Sequence, residues 1–143
     1  MKLLSFLLSD VQMCIDLQYV EKVLSLPLLE AVPNSPVYLL GIMNLEGESI
    51  PVIDLALRLG MEREELYSIT IPIILCRNDT QRVGLIVDEI MGLADVDEEL
   101  LQLHDNFKQA GSHFLATVTQ KQQVSLLLNA KYALSIHLTQ QDG

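Results

Sequence analysis

Tryptophan is absent from this 143-residue sequence, and only three phenylalanines and four tyrosines occur in it, although half of its residues are hydrophobic. We therefore predict an aliphatic core with few aromatic faces on which bases could stack. Basic residues are also scarce, with nine Lys and Arg against 19 Asp and Glu and a formal net charge of −10. This balance argues against binding to nucleic acid, whose phosphates require a basic face, and against attraction to anionic membrane surfaces.

Long hydrophobic runs and closely spaced cysteines are missing too. No apolar stretch approaches the roughly eighteen residues that span a bilayer, so no membrane insertion is predicted. Residues 3–8 form a short apolar run after Lys2, but no Ala-x-Ala cleavage pattern follows, and we predict the first β-strand there. Cys14 and Cys76 have no Cys-x-x-Cys spacing, so we expect two reduced core residues in a cytoplasmic protein.

The residue patterns of catalytic and metal sites are absent from the sequence as well. His104, His113 and His137 share no helical or hairpin spacing, and no serine lies in Gly-x-Ser-x-Gly. Asp54 and Asp88 each follow an apolar strand and can be imagined as a general acid and base, but capping and turn roles are the favoured interpretation. We therefore predict no catalytic, cofactor-binding or metal-binding residues and no enzymatic activity.

What the sequence does contain is a succession of short strands separated by turns rich in Gly, Pro, Asn and Asp. The predicted strands cover residues 3–8, 11–16, 39–45, 50–54, 68–77, 82–90, 113–119 and 124–128. Residues 19–26 are undecided between helix and strand by periodicity alone, and residues 129–135 predict a terminal turn of helix. The length suits one domain, and many short strands favour one or two small barrels.

Residues 32–60 carry the most informative pattern. The nearly continuous apolar run 39–45 indicates a strand covered on both faces, and Gly41 within it indicates a bulge or a close backbone approach. Pro51 in the return strand cannot donate to a ladder, so we expect an edge strand or a bulge there. Asp54 is predicted to cap the short helix that follows.

Three blocks of this segment resemble the signature of the bacterial chemotaxis CheW family. They are Pro33-Asn34-x-Pro36, Gly41-x-x-Asn44-Leu45-x-Gly47 and Pro51-Val52-Ile53-Asp54-Leu55, and a further block resembling the family is Val83-Gly84-Leu85-Ile86-Val87-Asp88. The chain departs from the family at Glu46, in the predicted turn, because the family usually has Arg between the Leu and the second Gly.

The resemblance implies a mainly β fold of two intertwined five-stranded SH3-like barrels with short helical segments. It implies one CheW-like domain over residues 1–143, made of two small barrel subdomains. It also implies a non-catalytic cytoplasmic adaptor that bridges the regulatory domain of a CheA-type histidine kinase and the cytoplasmic tip of a methyl-accepting chemoreceptor. For residues 19–26 it favours a brief turn leading into a strand.

The resemblance also suggests partner-binding positions. In the family the receptor's helical hairpin lies in the groove between the barrels, and the most similar positions here are Val20, Val23 and Val87, with Val83 and Ile86 as further candidates. Core packing is the favoured alternative for each of them, because strand alternation sends every other residue inward. Glu46 is the sixth candidate, since the corresponding Arg lies at or near the family's partner-binding surface.

Two other functions stay open at this point. Glu46 motivates the first, a CheW-like adaptor of another pathway, such as pilus motility or a different kinase array. The second is a small-molecule-binding β-barrel or an unrecognised hydrolase, which a pocket with convergent polar groups would support.

Overall fold

The computed structural model describes residues 1–63, 67–108 and 111–139 and is built mainly of short β-strands. The strands in this part of the chain are β1 (Lys2–Leu8), β2 (Val11–Asp16), β3 (Val20–Ser25), β4 (Leu39–Leu45), β5 (Glu48–Asp54), β6 (Pro72–Arg77), β7 (Arg82–Ile86), β8 (Glu89–Asp95), β9 (Leu101–Gln102), β10 (Phe114–Gln120) and β11 (Gln123–Leu128). Two short helices accompany them, α1 (Leu55–Arg58) and α2 (Ala130–Leu134).

The strands form two intertwined sheets. The first sheet has the order β8-β1-β2-β11-β10-β9 and the second has the order β3-β6-β7-β5-β4, so the chain leaves the first sheet after β2 and returns to it at β8. This mainly β architecture confirms the predicted fold class. The first sheet has six strands rather than five, because the two-residue strand β9 extends it, and neither sheet is closed by a ladder between its end strands in the described residues.

Three hairpins turn through two residues whose φ angles are positive, as two-residue hairpin loops require. The turn residues are Ser9 (49°) and Asp10 (66°), Glu46 (55°) and Gly47 (82°), and Lys121 (48°) and Gln122 (66°). The hairpins predicted around these residues are therefore confirmed, with strand ends that differ by one or two residues.

Gly41 is both a bulge and a point of close approach. The register between β4 and β5 shifts between Leu39 and Gly41, and a Cβ at position 41 would lie 2.7 Å from the carbonyl oxygen of Glu30. Leu39 and Met43 are buried whereas Leu40 is only half-buried, so burial alternates along β4 instead of covering both faces equally.

Pro51 lies in an inner strand, so of the two predicted alternatives the edge strand is wrong, whereas a bulge is present close by, between Leu39 and Gly41 of the partner strand. Pro51 is opposite Ile42, whose N–H and C=O bond outward to Glu30 at 2.8 and 2.9 Å. The nitrogen of Pro51 therefore points away from β4, towards β7. Because β7 pairs with β5 only from Val52 onward, the proline lies just before the parallel ladder begins and interrupts no hydrogen bond.

The strand predicted over residues 68–77 begins later, at Pro72. Ser68 and Thr70 form a turn instead, in which the Ser68 hydroxyl accepts from the Thr70 N–H at 3.2 Å. Proline suits the first position of a strand because it supplies no N–H.

The prediction of one strand over residues 82–90 is wrong, because these residues belong to two strands that lie in different sheets. β7 ends at Ile86 in the second sheet, and β8 begins at Glu89 in the first. At the crossing, the N–H of Asp88 donates to the carbonyl oxygen of Leu7 in β1 at 3.0 Å.

The largest cluster of buried side chains is shared by the two sheets. Its members include Leu4, Phe6 and Ile15 from the first sheet and Ile53, Ile74 and Leu85 from the second. Phe6 is the one aromatic residue among the buried core residues of the described chain, so the core is aliphatic as predicted. Within the described ranges, no helix has the length and apolar character needed to cross a bilayer.

Cys14 and Cys76 are both buried free thiols. Met13, Cys14 and Ile15 are buried in succession, so β2 is covered on both faces. Met13 and Ile15 face the shared cluster, whereas Cys14 packs in a smaller cluster of the first sheet. Burial raises the pKa of both thiols, that of Cys76 to about 12.

Candidate functional site

Three of the six predicted partner-binding residues lie at the surface. A 3-10 turn, Leu17–Tyr19, leads into β3, which resolves the segment that periodicity left undecided. Val20 begins β3 and is half-buried, and Val23 farther along β3 is 43% exposed. Glu46 lies at the tip of the β4–β5 hairpin, and 74% of its side chain is exposed.

The other three predicted residues are fully buried. Val83 and Val87 belong to the cluster shared by the two sheets, and Ile86 packs in the second sheet's own cluster. Core packing, the favoured alternative in the sequence analysis, is thus the environment of Val83, Ile86 and Val87. Val83 is linked to the surface through the sheet. It is the β-ladder partner of Cys76 on β6, and Cys76 is the ladder partner of Val20 on β3.

The turn that carries Glu46 is held by a side-chain hydrogen bond. The Gly47 N–H donates to Oδ1 of Asn44 at 3.2 Å. Asn44 and Gly47 are both part of the motif that resembles the CheW family, and here they fix the backbone that presents Glu46.

Glu46 forms an ion pair with Lys22, which the sequence analysis did not anticipate. Nζ of Lys22 lies 3.7 Å from Oε1 of Glu46, and 43% of the Lys22 side chain is exposed. Lys22 is on β3, at one end of the second sheet, whereas Glu46 follows β4, at the other end. The pair therefore brings together the two ends of this sheet. The sequence contained one sign of this ion pair: Glu46 stands where the family usually has Arg, and an acidic residue there can pair with a nearby cation.

A second ion-pair group, formed by residues of β3, β5 and β7, lies close to this pair. Arg82 at the start of β7 donates to Oε1 and Oε2 of Glu21 at 2.9 and 2.7 Å and to Oε2 of Glu48 at 2.6 Å. The hydrogen bond from Arg82 lowers the pKa of Glu21, and the hydrogen bonds to Glu21 and Glu48 raise the pKa of Arg82. Charges of both signs therefore surround the hairpin tip.

Asp54 and Asp88, imagined as an acid and base pair, are held by structural contacts. Asp54 is fully buried, and its carboxylate accepts from the N–H of Leu57 at 3.2 Å, from Nε of Arg63 at 2.5 Å and from the Tyr67 hydroxyl. The bond to Leu57 confirms the predicted helix cap of α1.

Arg63 also connects Asp54 to Asp88. Nη1 of Arg63 donates to Oδ1 of Asp88 at 2.9 Å, and Oδ2 of Asp88 accepts from the Ser9 N–H at 2.6 Å. Burial alone would lower the pKa of Arg63, but the two carboxylates raise it overall. Burial and the hydrogen bond to Asp54 raise the pKa of the Tyr67 hydroxyl. These contacts join the second sheet to the first hairpin and leave neither carboxylate placed as a general base.

A groove of about 640 Å³ lies beside Arg63. Its lining carries the carboxylates of Asp10, Glu62, Asp88 and Glu89. Because Arg63 is already paired with two carboxylates, the lining of the groove is acidic overall. In the described residues, no three His, Cys, Asp or Glu side chains are grouped to hold a metal ion.

Two intertwined β-sheets with an exposed valine on an end strand and a charged hairpin tip have the features of a protein-interaction module. The chain belongs to the CheW-like domain family, whose family model matches residues 2–136. It is similar to a protein described as "Probable chemotaxis protein CheW" from Rhizobium etli, with 34% identity over 101 residues that cover 71% of this chain and 64% of that relative. The match to "Chemotaxis protein CheW" from Thermotoga maritima has 31% identity over 102 residues, covering 71% of this chain and 66% of that protein.

A solved structure supports the fold. The crystal structure of the scaffolding protein TtCheW from Thermoanaerobacter tengcongensis superimposes with a TM-score of 0.84 at 24% sequence identity, covering 94% of this chain and 92% of that one. The regions matched in the sequence comparisons span slightly less than two thirds of these CheW relatives.

Proposed function

We propose that the chain is a non-catalytic chemotaxis adaptor that couples a CheA-type histidine kinase to a chemoreceptor. It acts in the cytoplasm as one domain of two subdomains and requires no cofactor. One partner is the regulatory domain of the kinase, and the other is the cytoplasmic tip of a methyl-accepting receptor. The observation that carries this proposal is the extent of the family match, because residues 2–136 leave little of the chain outside the CheW-like module.

The partner surface that we propose includes Val20, Val23 and Glu46. An exposed valine on an end strand offers apolar area to a helical hairpin, in the helix-in-groove mode of recognition. Val83, Ile86 and Val87 would contribute as the core that supports this surface. Direct contact of these three residues with a partner would require a change of structure, since all three are fully buried.

A pair of matched variants tests the receptor part of this surface. Val23→Lys places a charge on the proposed contact, whereas Val124→Lys changes a valine that is 59% exposed on β11 of the other sheet. We expect both variants to melt like the wild type, and only Val23→Lys to lose binding to the purified receptor tip. Equal binding by both variants would remove Val23 from the surface, and failure of the wild type to bind receptor and kinase would overturn the adaptor proposal.

An adaptor of another kinase array is the second candidate, and Glu46 is the observation that favours it. If the wild type binds the regulatory domain of a pilus-type kinase and not that of a chemotaxis kinase, the adaptor class stands and the pathway changes.

A further inference from the structure

We propose that the first sheet carries a binding pocket for a small uncharged molecule with one hydroxyl group, such as a short-chain alcohol. Strands of the first sheet, together with Val96 directly after β8, line this pocket. The partner surface proposed above, Val20, Val23 and Glu46, belongs to the second sheet. The pocket is therefore a separate site, and its function goes beyond that of an adaptor.

The size of the pocket limits what it can hold. Its volume is about 140 Å³, and β1, β2, β8, β10 and β11 all contribute side chains to its lining. A cavity of about 150 Å³ holds a molecule the size of benzene. The pocket therefore has room for an organic molecule of about six non-hydrogen atoms, and a nucleotide or an oligosaccharide is too large for it.

Part of the lining is apolar and well buried. Leu3, Val96 and Val118 belong to the small cluster of the first sheet, and all three line the pocket. The exposed fraction of each is 3% or less. Contact with these side chains removes apolar surface from water, which favours a ligand with a short hydrocarbon body.

Ser125 supplies a polar group that lacks a partner. It lines the pocket, and its hydroxyl oxygen is buried without a hydrogen bond in the described part of the chain. Burial raises the pKa of the neighbouring Cys14 thiol, and the Ser125 hydroxyl partly opposes this rise. Sulfur is only a weak acceptor, and the Cys14 thiol donates to the carbonyl oxygen of Leu126 at 3.7 Å. A ligand hydroxyl would give Ser125 the hydrogen bond that it lacks.

Glutamine side chains from three strands add further polar groups. Gln12, Gln120 and Gln123 all line the pocket. Nε2 of Gln12 donates to Oε1 of Gln123 at 3.2 Å and to Sδ of Met91 at 3.5 Å, so contacts between side chains hold this part of the lining together. Because each amide has both a donor and an acceptor, the lining suits a hydroxyl group, which also donates and accepts.

The lining carries no charge, although the chain has a formal net charge of −10. Among the described residues, no Asp, Glu, Lys or Arg lines this pocket, whereas four carboxylates line the groove beside Arg63. An ion entering the pocket would lose its hydration without meeting an opposite charge, which is costly. The pocket therefore selects an uncharged ligand.

Met91 gives the ligand a way in. Its side chain lines the pocket and is also 47% exposed, so it lies between the pocket and the solvent. Methionine is unbranched and has three rotatable bonds, so it can move aside without a change in the backbone.

The test uses n-butanol as the uncharged probe and butylammonium and butyrate as charged probes of similar size. Each probe is titrated into the isotope-labelled full chain, and the backbone amide signals are followed by nuclear magnetic resonance. We expect n-butanol to cause saturable shifts at Ser5, Gln12, Met91 and Ser125, with a dissociation constant in the millimolar range. Both charged probes should bind at least about tenfold more weakly.

A pair of matched variants tests the role of the hydroxyl. Ser125→Ala removes the hydroxyl and leaves the space, whereas Ser49→Ala removes a hydroxyl from an exposed position on β5 of the second sheet. We expect Ser125→Ala to bind n-butanol about threefold to tenfold more weakly than the wild type. Ser49→Ala should bind it as the wild type does.

Three results would overturn the proposed pocket function. The first is a shift that grows linearly with n-butanol and never saturates, as expected if the pocket holds only ordered water. The second is equal binding of n-butanol and a charged probe, and the third is wild-type affinity of Ser125→Ala. If Ser125→Ala does not fold, the comparison of the three probes on the wild type decides. The adaptor function is tested separately, by the binding of receptor and kinase.

Discussion

Arg63 donates from Nε to Oδ2 of the fully buried Asp54 at 2.5 Å, which places a cation next to a carboxylate that has no access to water. The same guanidinium reaches Asp88, whose carboxylate is bonded to the backbone of Ser9. These contacts link the end of β5, the end of β7 and the turn of the first hairpin. Arg63 therefore holds the two sheets together at one end of their shared core.

The first prediction follows from this contact. Arg63→Met should lower the free energy of unfolding by about 3–5 kcal/mol, because it leaves the buried Asp54 carboxylate without its cation. Chemical denaturation measures the change. The control is Arg77→Met, which removes an exposed arginine from β6 and should change stability by less than about 0.5 kcal/mol. Equal stability of the two variants would show that Asp54 is not stabilised by Arg63.

The second prediction concerns Gly41. Gly41→Val should lower stability by roughly 1–3 kcal/mol, because a side chain at this position would collide with the Glu30 carbonyl oxygen only 2.7 Å from its Cβ. Binding to the kinase domain, measured at a temperature where the variant is folded, should match that of the wild type. A variant that melts normally but no longer binds would assign Gly41 to the interface instead.

The third prediction is a loss of stability at alkaline pH. Burial, assisted by the nearby charge of Glu21, raises the pKa of the Cys76 thiol from its ordinary value of 9.0 to about 12. Above pH 9 the unfolded chain releases this proton while the folded chain keeps it. The stability that Cys76 contributes is therefore fully present below pH 9 and is lost as the pH rises towards 12.

We expect the free energy of unfolding to fall by roughly 1 kcal/mol per pH unit in this window because of Cys76. The control is Cys76→Ala, which should be less stable at neutral pH but should show a flatter alkaline decline. Parallel declines of the two proteins between pH 9 and 11 would exclude Cys76 as the cause.

Local features of the fold were predictable from the sequence. Turn residues such as Ser9-Asp10 and Glu46-Gly47 set the hairpins, and the Asp54 side chain caps α1, because these effects act within a few residues. The resemblance to the CheW family supplied the arrangement in two intertwined sheets, which no local pattern could specify.

Contacts between distant parts of the chain were not predictable. The sequence of residues 82–90 hides the change of sheet, because apolar residues typical of strands stand on both sides of Asp88 and Glu89. Periodicity alone also cannot separate a buried Val83 from an exposed Val23. The Lys22–Glu46 and Arg63–Asp54 pairs depend on the way the chain folds back on itself, so the sequence shows the charges but not their partners.

The most direct test of the account is whether this chain makes a kinase respond to a receptor. Purified CheA-type kinase is combined with receptor in lipid vesicles, with and without the chain, and autophosphorylation of the kinase is measured. We predict that the receptor changes kinase activity only when the chain is present and that Val23→Lys reduces this effect while Val124→Lys does not. Receptor control of the kinase that is the same with and without the chain would contradict the adaptor function.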